Sequence, residues 1–335
     1  MATREPFSLA LIVPTKDRPE LLARLLASVA RQSVRPAQVI VVDGGTVSVE
    51  PVVRACGLPA RYLRALPPSL TRQKNQGIDA LPPHAAFVGF LDDDLVLEDG
   101  ALAAMAAFWA QADAAVGGAG LTNVLMKPRR GVWVKRLFAL DGPDDGRVLC
   151  SGYNTSVRPQ PDVYATQWLP GGASIWRREV VEQFRFDEWF TGYSYLEDVD
   201  YSLRVGRRYA CMMIPEARMQ HESQPMSRRQ HVRFGAWQVT NRLYLVRKHP
   251  ECSIGWCVWS LIGQLLLNAT AGVASWGAGG VSRALGNLAG WARVIRHGIA
   301  PERSSVHAAA SKPEPVALAA DHSAGVSAIA NGVKR

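Results

Sequence analysis

The stretch Ala85-Ala86-Phe87-Val88-Gly89-Phe90-Leu91-Asp92-Asp93-Asp94 runs without a polar side chain straight into three carboxylates. A short apolar run of this kind reads as a strand buried on both faces. Three adjacent carboxylates repel one another, and a buried strand end tolerates them only beside a cation. Mg²⁺ or Mn²⁺ takes hard oxygen ligands, typically one or two carboxylates plus substrate phosphates. Alternate side chains near a strand end point the same way, so Asp92 and Asp94 form a pair and Asp93 points elsewhere. The plainer reading is a solvated acidic turn before a helix whose first turn carries Glu98 and Asp99.

Outward from this strand the chain alternates between two periods. Ser8 to Val13 is an apolar run stopped by Pro14, and Gln38 to Val42 is another that ends in Asp43-Gly44-Gly45. Arg61 to Ala65 is a weaker third strand. Between them, Leu21, Leu22, Leu25, Leu26 and Val29 recur at helical spacing. Helices are also expected over Thr71–Leu81 and Glu98–Ala110. This pattern predicts an α/β fold, a doubly wound and mostly parallel sheet flanked by helices. Ligands collect at the carboxyl ends of such strands, where Pro14–Arg18, Asp43 and Asp92–Asp94 all fall. Residues 121–165 read as loops and insertions. Regular structure is expected again at Thr166–Leu169, in a helix from Arg177, in a helix over Glu197–Arg207, in a strand over Tyr209–Ile214 and in a helix over Gln230–Lys248.

The composition bounds the function. The 335 residues are 48% hydrophobic and 20% charged, with a net charge of +9, as for a globular protein with a real core. A basic excess suits nucleic acid, an anionic membrane surface or an anionic substrate. No zinc-finger spacing or RNP-like aromatic motif is present, so no nucleic acid partner is expected. Five scattered cysteines make neither a disulfide framework nor a metal cluster, which points to a reducing cytoplasm. The start has no signal-peptide layout, so the catalytic part is expected to stay in the cytoplasm.

Cys252 to Ser282 contains no charged residue. Its length would span a bilayer, yet Gln264, Asn268, Thr270 and several glycines favour an in-plane or re-entrant hairpin, with packing on the catalytic domain as the alternative. The predicted organisation is a catalytic domain over 1–250, an apolar helical, membrane-associating segment over 251–300, and a disordered Ala-, Ser- and Pro-rich tail over 301–335.

Several residues then stand out as chemistry. Asp43 closes a strand and can accept from a base or ribose, or it is a turn residue. Arg72 and Asn75, near Lys74 and Gly77, sit at a helix start where phosphate is favoured. Gly171-Gly172-Ala173-Ser174 can bring backbone N–H groups close to a ligand. Glu197-Asp198-x-Asp200 offers a general base, or caps a helix with acids. His221 becomes a metal or phosphate ligand if the fold returns it to the acidic triplet.

Taken in order, these motifs resemble the inverting family 2 glycosyltransferases of the GT-A fold, of the kind that builds bacterial cell envelopes or exopolysaccharides. The resemblance is carried by Ile12-Val13-Pro14-Thr15-Lys16-Asp17-Arg18, Val41-Val42-Asp43-Gly44, Thr71 to Gly77, Phe90 to Asp94, Leu169 to Glu179, Glu197 to Arg204 and His221. It implies a nucleotide-diphosphate sugar donor bound by Pro14, Thr15, Asp17, Asp43, Arg72, Asn75, Asp92 and Asp93. It implies a divalent metal, Mg²⁺ or Mn²⁺, at Asp92, Asp94 and His221, and an acceptor on Gly171, Gly172, Ala173 and Ser174. Asp198, beside Glu197, matches the general base. Gln230-His231-Val232-Arg233-Phe234 only approximates the motif of processive polymerases, which implies transfer of one hexosyl unit per encounter. A glycan or lipid-linked acceptor and a place at the inner face of the cell membrane go with this reading. A nucleotidyltransferase would need a glycine-rich loop where Pro14–Arg18 stands. A non-catalytic scaffold of the same fold would have little reason to keep Asp92, Asp94 and Asp198.

Overall fold

The computed structural model describes residues 7–126, 132–221, 225–274 and 278–300. The N-terminal half alternates β1 (Leu9–Thr15), α1 (Pro19–Ala30), β2 (Gln38–Asp43), α2 (Glu50–Ala55), β3 (Ala60–Arg64), α3 (Leu70–Asp79) and β4 (Phe87–Leu91). Then come β5 (Leu95–Leu97), α4 (Ala101–Gln111), β6 (Val116–Asn123), α5 (Val132–Leu137), β7 (Tyr164–Thr166), β8 (Ala173–Arg177) and α6 (Arg178–Gln183). The chain closes with α7 (Glu197–Val205), β9 (Ala210–His221), α8 (Arg228–Lys248), α9 (Ile254–Ala274) and α10 (Ala278–His297).

One sheet runs β3-β2-β1-β4-β8-β6-β9-β5, with β7 paired to β9. Strands β3, β2, β1 and β4 are parallel, as the alternation requires. The other half is mixed: β8 is antiparallel to both β4 and β6, and β9 is parallel to β6 but antiparallel to β5 and β7. Strand alternation divides the apolar side chains between two cores. Leu9, Leu11, Val13, Phe87 and Leu91 face one core with residues of α1 and α4. Ile12, Val88 and Phe90 face the other with residues of α3, α6 and α7. The result is a sheet covered by helices on both faces.

Residues 116–123 differ from the sequence expectation, which had no strand there and placed 121–165 in loops. The segment Val-Gly-Gly-Ala-Gly-Leu-Thr-Asn lacks the β-branched signature because neighbouring side chains occupy its Cβ space. A Cβ on Gly118 would lie 2.5 Å from the Trp176 ring, and one on Gly120 would lie 2.4 Å from the Met213 sulfur. Strand β8 fills the stretch before the expected helix, which starts one residue later at Arg178, and β9 runs on to His221 rather than stopping at Ile214.

The uncharged segment supplies α9 and the first turn of α10, and both helices pack on α8. Val239, Leu243, Val246, Cys257 and Leu261 bury together there. Its buried asparagine turns inward. Asn268 donates to Gln238 and Asn287, and Asn287 donates to Gly235 O and Gln238, so buried amides tie α8, α9 and α10 together. No helix among the described residues is long and apolar enough to cross a membrane. The expected tail over 301–335 lies outside the described residues.

Candidate active site

The carboxyl ends of β1, β2 and β4 meet the start of β8 and the N-terminus of α7 around one cleft. Helix α3 is fastened to the strand ends, because Gln73 donates to both Thr15 O and Val42 O. Gly77 lets it lie close to the sheet, since a Cβ there would lie 2.4 Å from Ile12. That approach carries Lys74 inside.

Lys74 is fully buried, and its Nζ lies 2.6 Å from Glu197 Oε1 and 2.8 Å from Gly171 O. The ammonium also lies 4.8 Å from the Phe186 ring centroid. Glu197 is buried too, and its Oε2 has no hydrogen-bond partner among the described residues. Burial pushes the Glu197 carboxyl up to about 7, against the pull of Lys74. Asp198 follows at the open edge and is only partly buried. Burial raises its carboxyl above the ordinary range, while the Lys74 charge and the Val199 and Gly171 N–H groups work the other way. Just upstream, Ser194 and Leu196 hold positive φ angles of 56° and 75°. Non-glycine residues adopt that region at a cost, and such strain gathers at working sites.

Gly171 and Gly172 are glycines for a packing reason. A Cβ on Gly171 would fall 2.5 Å from Glu197 Oε1, and one on Gly172 would fall 1.9 Å from Asp92 Cγ. Asp92 N donates to Gly172 O at 2.9 Å, so this turn holds the first carboxylate of the triplet. Gly172→Ala is expected to displace Asp92 and to lower turnover roughly a hundredfold, because a shift on the order of 1 Å suffices for such a loss. Steady-state rates beside a thermal melt would separate this effect from unfolding.

The triplet itself is divided. Thr15 Oγ1 donates to Asp93 Oδ2 at 2.7 Å, and Arg18 bridges Asp93 at 3.1 Å and Asp94 at 3.3 Å. Asp93 is buried, with its carboxyl pushed up to about 6 by that burial. Asp94 Oδ1 stands 3.2 Å from His221 Nε2, which the extended β9 brings back through the Leu95–His221 pairing. Burial works to raise Asp94, but His221 and Arg18 hold its carboxyl below the usual range, and the same contact raises the imidazole. Burial raises Asp92. Among the described residues no three His, Cys, Asp or Glu side chains form a ready-made metal cage. The donor chemistry still fits a hard divalent cation, because a desolvated carboxylate stands beside an Asp–His pair.

Other sequence candidates land differently. Asp43 is fully buried, and its carboxylate accepts from Gly45 N, Val49 N, Tyr62 OH and Arg64 Nη1, which engages its acceptor capacity within the protein. Asn75 donates to Phe186 O and accepts from Phe186 N, so it clamps the turn before α7. Arg72 faces Glu188 at 3.6 Å. Asp17, exposed at φ 54°, accepts from Thr46 N and Oγ1. Pro14 pairs with Val42 inside the sheet. Ala173 and Ser174 are buried in β8 opposite Leu91 and Phe90, so the exposed floor ends at Gly172.

A family model described as glycosyltransferase like family 2 matches residues 6–240. The chain belongs to this family. As a family 2 member it is a glycosyltransferase, and its acidic strand end, glycine turn and α7 carboxylates all lie within the matched span. Solved structures show the same fold at low identity. A Pyrobaculum calidifontis mannosyltransferase in complex with GDP-Man and Mn²⁺ is 13% identical, with a TM-score of 0.53 over 86% of this chain and 88% of that one. GalNAc-T7 with UDP, GalNAc and Mn²⁺ is 12% identical, with a TM-score of 0.54 over 82% and 58%. S. aureus TarS 1-349 is 14% identical, with a TM-score of 0.50 over 79% and 74%. These neighbours are GT-A enzymes, so the expected GT-A fold is the observed one. No curated protein matches the chain.

Three residues of this glycosyltransferase's cleft were not singled out from the sequence. Arg18 lies inside a quoted motif but bridges carboxylates on a different strand. Tyr193 stands exposed nearby, in the field of Asp92, Asp94 and Asp198. Lys74 alone carried a legible signal, since it shares the buried face of α3 with Thr71, Gly77 and Ile78.

Proposed function

We propose that this glycosyltransferase moves one sugar from a nucleotide-diphosphate sugar to a hydroxyl of a glycan acceptor, lipid-linked and met at a membrane surface, with inversion at the anomeric carbon. The observation that carries the reading is the pairing of two carboxylate sites across the Gly171–Gly172 turn, Asp198 on one side and Asp92 on the other.

Asp198 acts as general base. It accepts the proton of the acceptor hydroxyl as that oxygen attacks the anomeric carbon in line with the departing diphosphate. One displacement with one base inverts the centre and needs no enzymic nucleophile. Lys74 and Glu197 fix the turn and the start of α7, so the Asp198 carboxylate is preorganised rather than searching. Asp92, Asp94 and His221 would hold a divalent cation, which supplies electrostatic stabilisation of the leaving diphosphate. Arg18 keeps Asp93 and Asp94 in place, and Thr15 keeps Asp93 turned toward β1. Asp43 and Asn75 serve by shaping the loops around the donor. The GDP-Man and UDP complexes of the fold neighbours support a nucleotide donor here.

A panel of nucleoside diphosphates tests the donor half. Thermal stabilisation is expected with Mg²⁺ or Mn²⁺ and is expected to vanish with EDTA. Equal stabilisation without divalent cation would remove the role given to Asp92 and Asp94. The base half has its own signature. The raised Asp198 carboxyl is protonated and inactive at low pH, so kcat/KM is expected to rise with pH along an acid limb above the usual carboxylate range. A pH–rate profile reads it.

A further inference from the structure

The C-terminal helices present an unusual surface. On α9, Trp256, Trp259, Ile262 and Leu266 are each between 41% and 51% exposed and fall on one stripe, opposite the buried Cys257 and Leu261. On α10, Val281, Leu285 and Leu288 are 44% to 53% exposed, and Ile295 is 82% exposed. Helix α5 adjoins the α9 stripe: Trp259 Nε1 donates to Leu137 O, and the Phe138 and Trp259 rings lie 5.0 Å apart. There Trp133 is 76% exposed and Leu137 61%. The α5 and α9 residues thus adjoin one another, and monomeric proteins rarely leave large contiguous apolar patches in water.

Charge narrows the occupant. Residues 253–300 contain neither Asp nor Glu, and neither does α5. Among the described residues the exposed charged side chains on α5, α9 and α10 are the cations Lys135, Arg136 and Arg296, and the exposed Glu251 that precedes α9 is paired with Arg207. A second copy of the same face would set cation against cation with no carboxylate between them. The segment 301–335 has no aromatic residue and a single leucine, too little apolar surface to cover two helices. Asn268 of α9 is engaged inward with α8 and α10, and no helix among the described residues is long and apolar enough to cross a bilayer. A face of tryptophan and aliphatic side chains edged by cations fits the headgroup boundary of an anionic bilayer.

We infer that α5 and α9, continued by α10, dock in the plane of an anionic lipid surface, with Trp256 and Trp259 at headgroup level and Lys135 and Arg136 on lipid phosphates. This deepens the reading of a lipid-linked acceptor and rests on it for its purpose. The hairpin reaches the cleft rim, since Arg283 of α10 lies 5.2 Å from the Phe234 ring centroid and Phe234 packs edge-on against Tyr193. A docked enzyme therefore holds its rim near the membrane, where a lipid-borne hydroxyl would arrive.

Co-sedimentation of the full chain with vesicles of equal parts phosphatidylcholine and phosphatidylglycerol tests the inference. Wild type is expected to sediment with these vesicles, and weakly with phosphatidylcholine alone. Ile262→Glu/Leu266→Glu is expected to bind about tenfold more weakly, and so is Lys135→Glu/Arg136→Glu. All four residues are exposed, and a thermal melt checks that the fold survives. Hydrolysis of the sugar donor in vesicle-free buffer is expected to be unchanged in both variants. Docking therefore fails separately from glycosyl transfer. Binding unaffected by either variant would overturn the inference. So would failure of wild type to bind vesicles together with a dimer that Ile262→Glu/Leu266→Glu dissociates, or binding that appears only after removal of 301–335.

Discussion

Asp198→Asn is expected to lower kcat by about 10²- to 10⁴-fold, the range that a positioned general base supplies. The variant keeps the shape of the side chain and the 2.8 Å bond from Val199 N, giving up only the 3.4 Å contact from Gly171 N, so donor binding should hold and the loss should fall on kcat. Stability should hold or rise, because burial raises the Asp198 carboxyl and the amide relieves that cost. Glu197→Gln is the informative neighbour. It weakens the contact with Lys74 but leaves Asp198 in place, so its loss of rate should be smaller and accompanied by a lower melting temperature.

Lys74→Met carries the largest expected stability effect, about 3–5 kcal/mol near pH 8, because it strands a buried carboxylate. The pH dependence has a definite sign. Burial raises Glu197 from its ordinary 4.5 to about 7 even with Lys74 present, and removing the ammonium removes a downward influence. A carboxyl whose folded pKa is raised contributes its stability below the unfolded pKa and loses it as pH rises through the folded value. The deficit of Lys74→Met should therefore be small near pH 5 and grow through neutrality. Urea unfolding at the two pH values measures it. Lys74→Met/Glu197→Leu should recover much of the loss, since apolar residues can replace a buried ion pair.

The first half of the fold was legible because β1, β2 and β4 are continuous apolar runs and α1 is a periodic one, with β3 the weaker signal and α2 unmarked. The same clarity placed Asp92 and Asp94 at a strand end and His221 as conditional on the fold's return. What stayed hidden depends on contacts across the chain. Strand β6 is written in glycines because Trp176 and Met213 fill its side-chain space, so its pattern belongs to its neighbours. Asp43 reads as a ligand contact until Tyr62 and Arg64 are seen to reach it from β3. Asn75 likewise reads as a phosphate contact until the 186–188 turn folds over it. The Lys74–Glu197 pair spans more than a hundred residues, and no local spacing announces it. The polar residues of α9 looked like weaknesses in a membrane helix, whereas Asn268 fastens it to α8 and the apolar stripe is left outside.

The stereochemistry of the product tests the central reading most directly. With a donor identified by metal-dependent stabilisation, the anomeric configuration of the new linkage can be read by proton NMR. Inversion relative to the donor is expected, because Asp198 is placed as a base for one displacement. Retention of configuration would contradict a single displacement and call for a different assignment of this cleft.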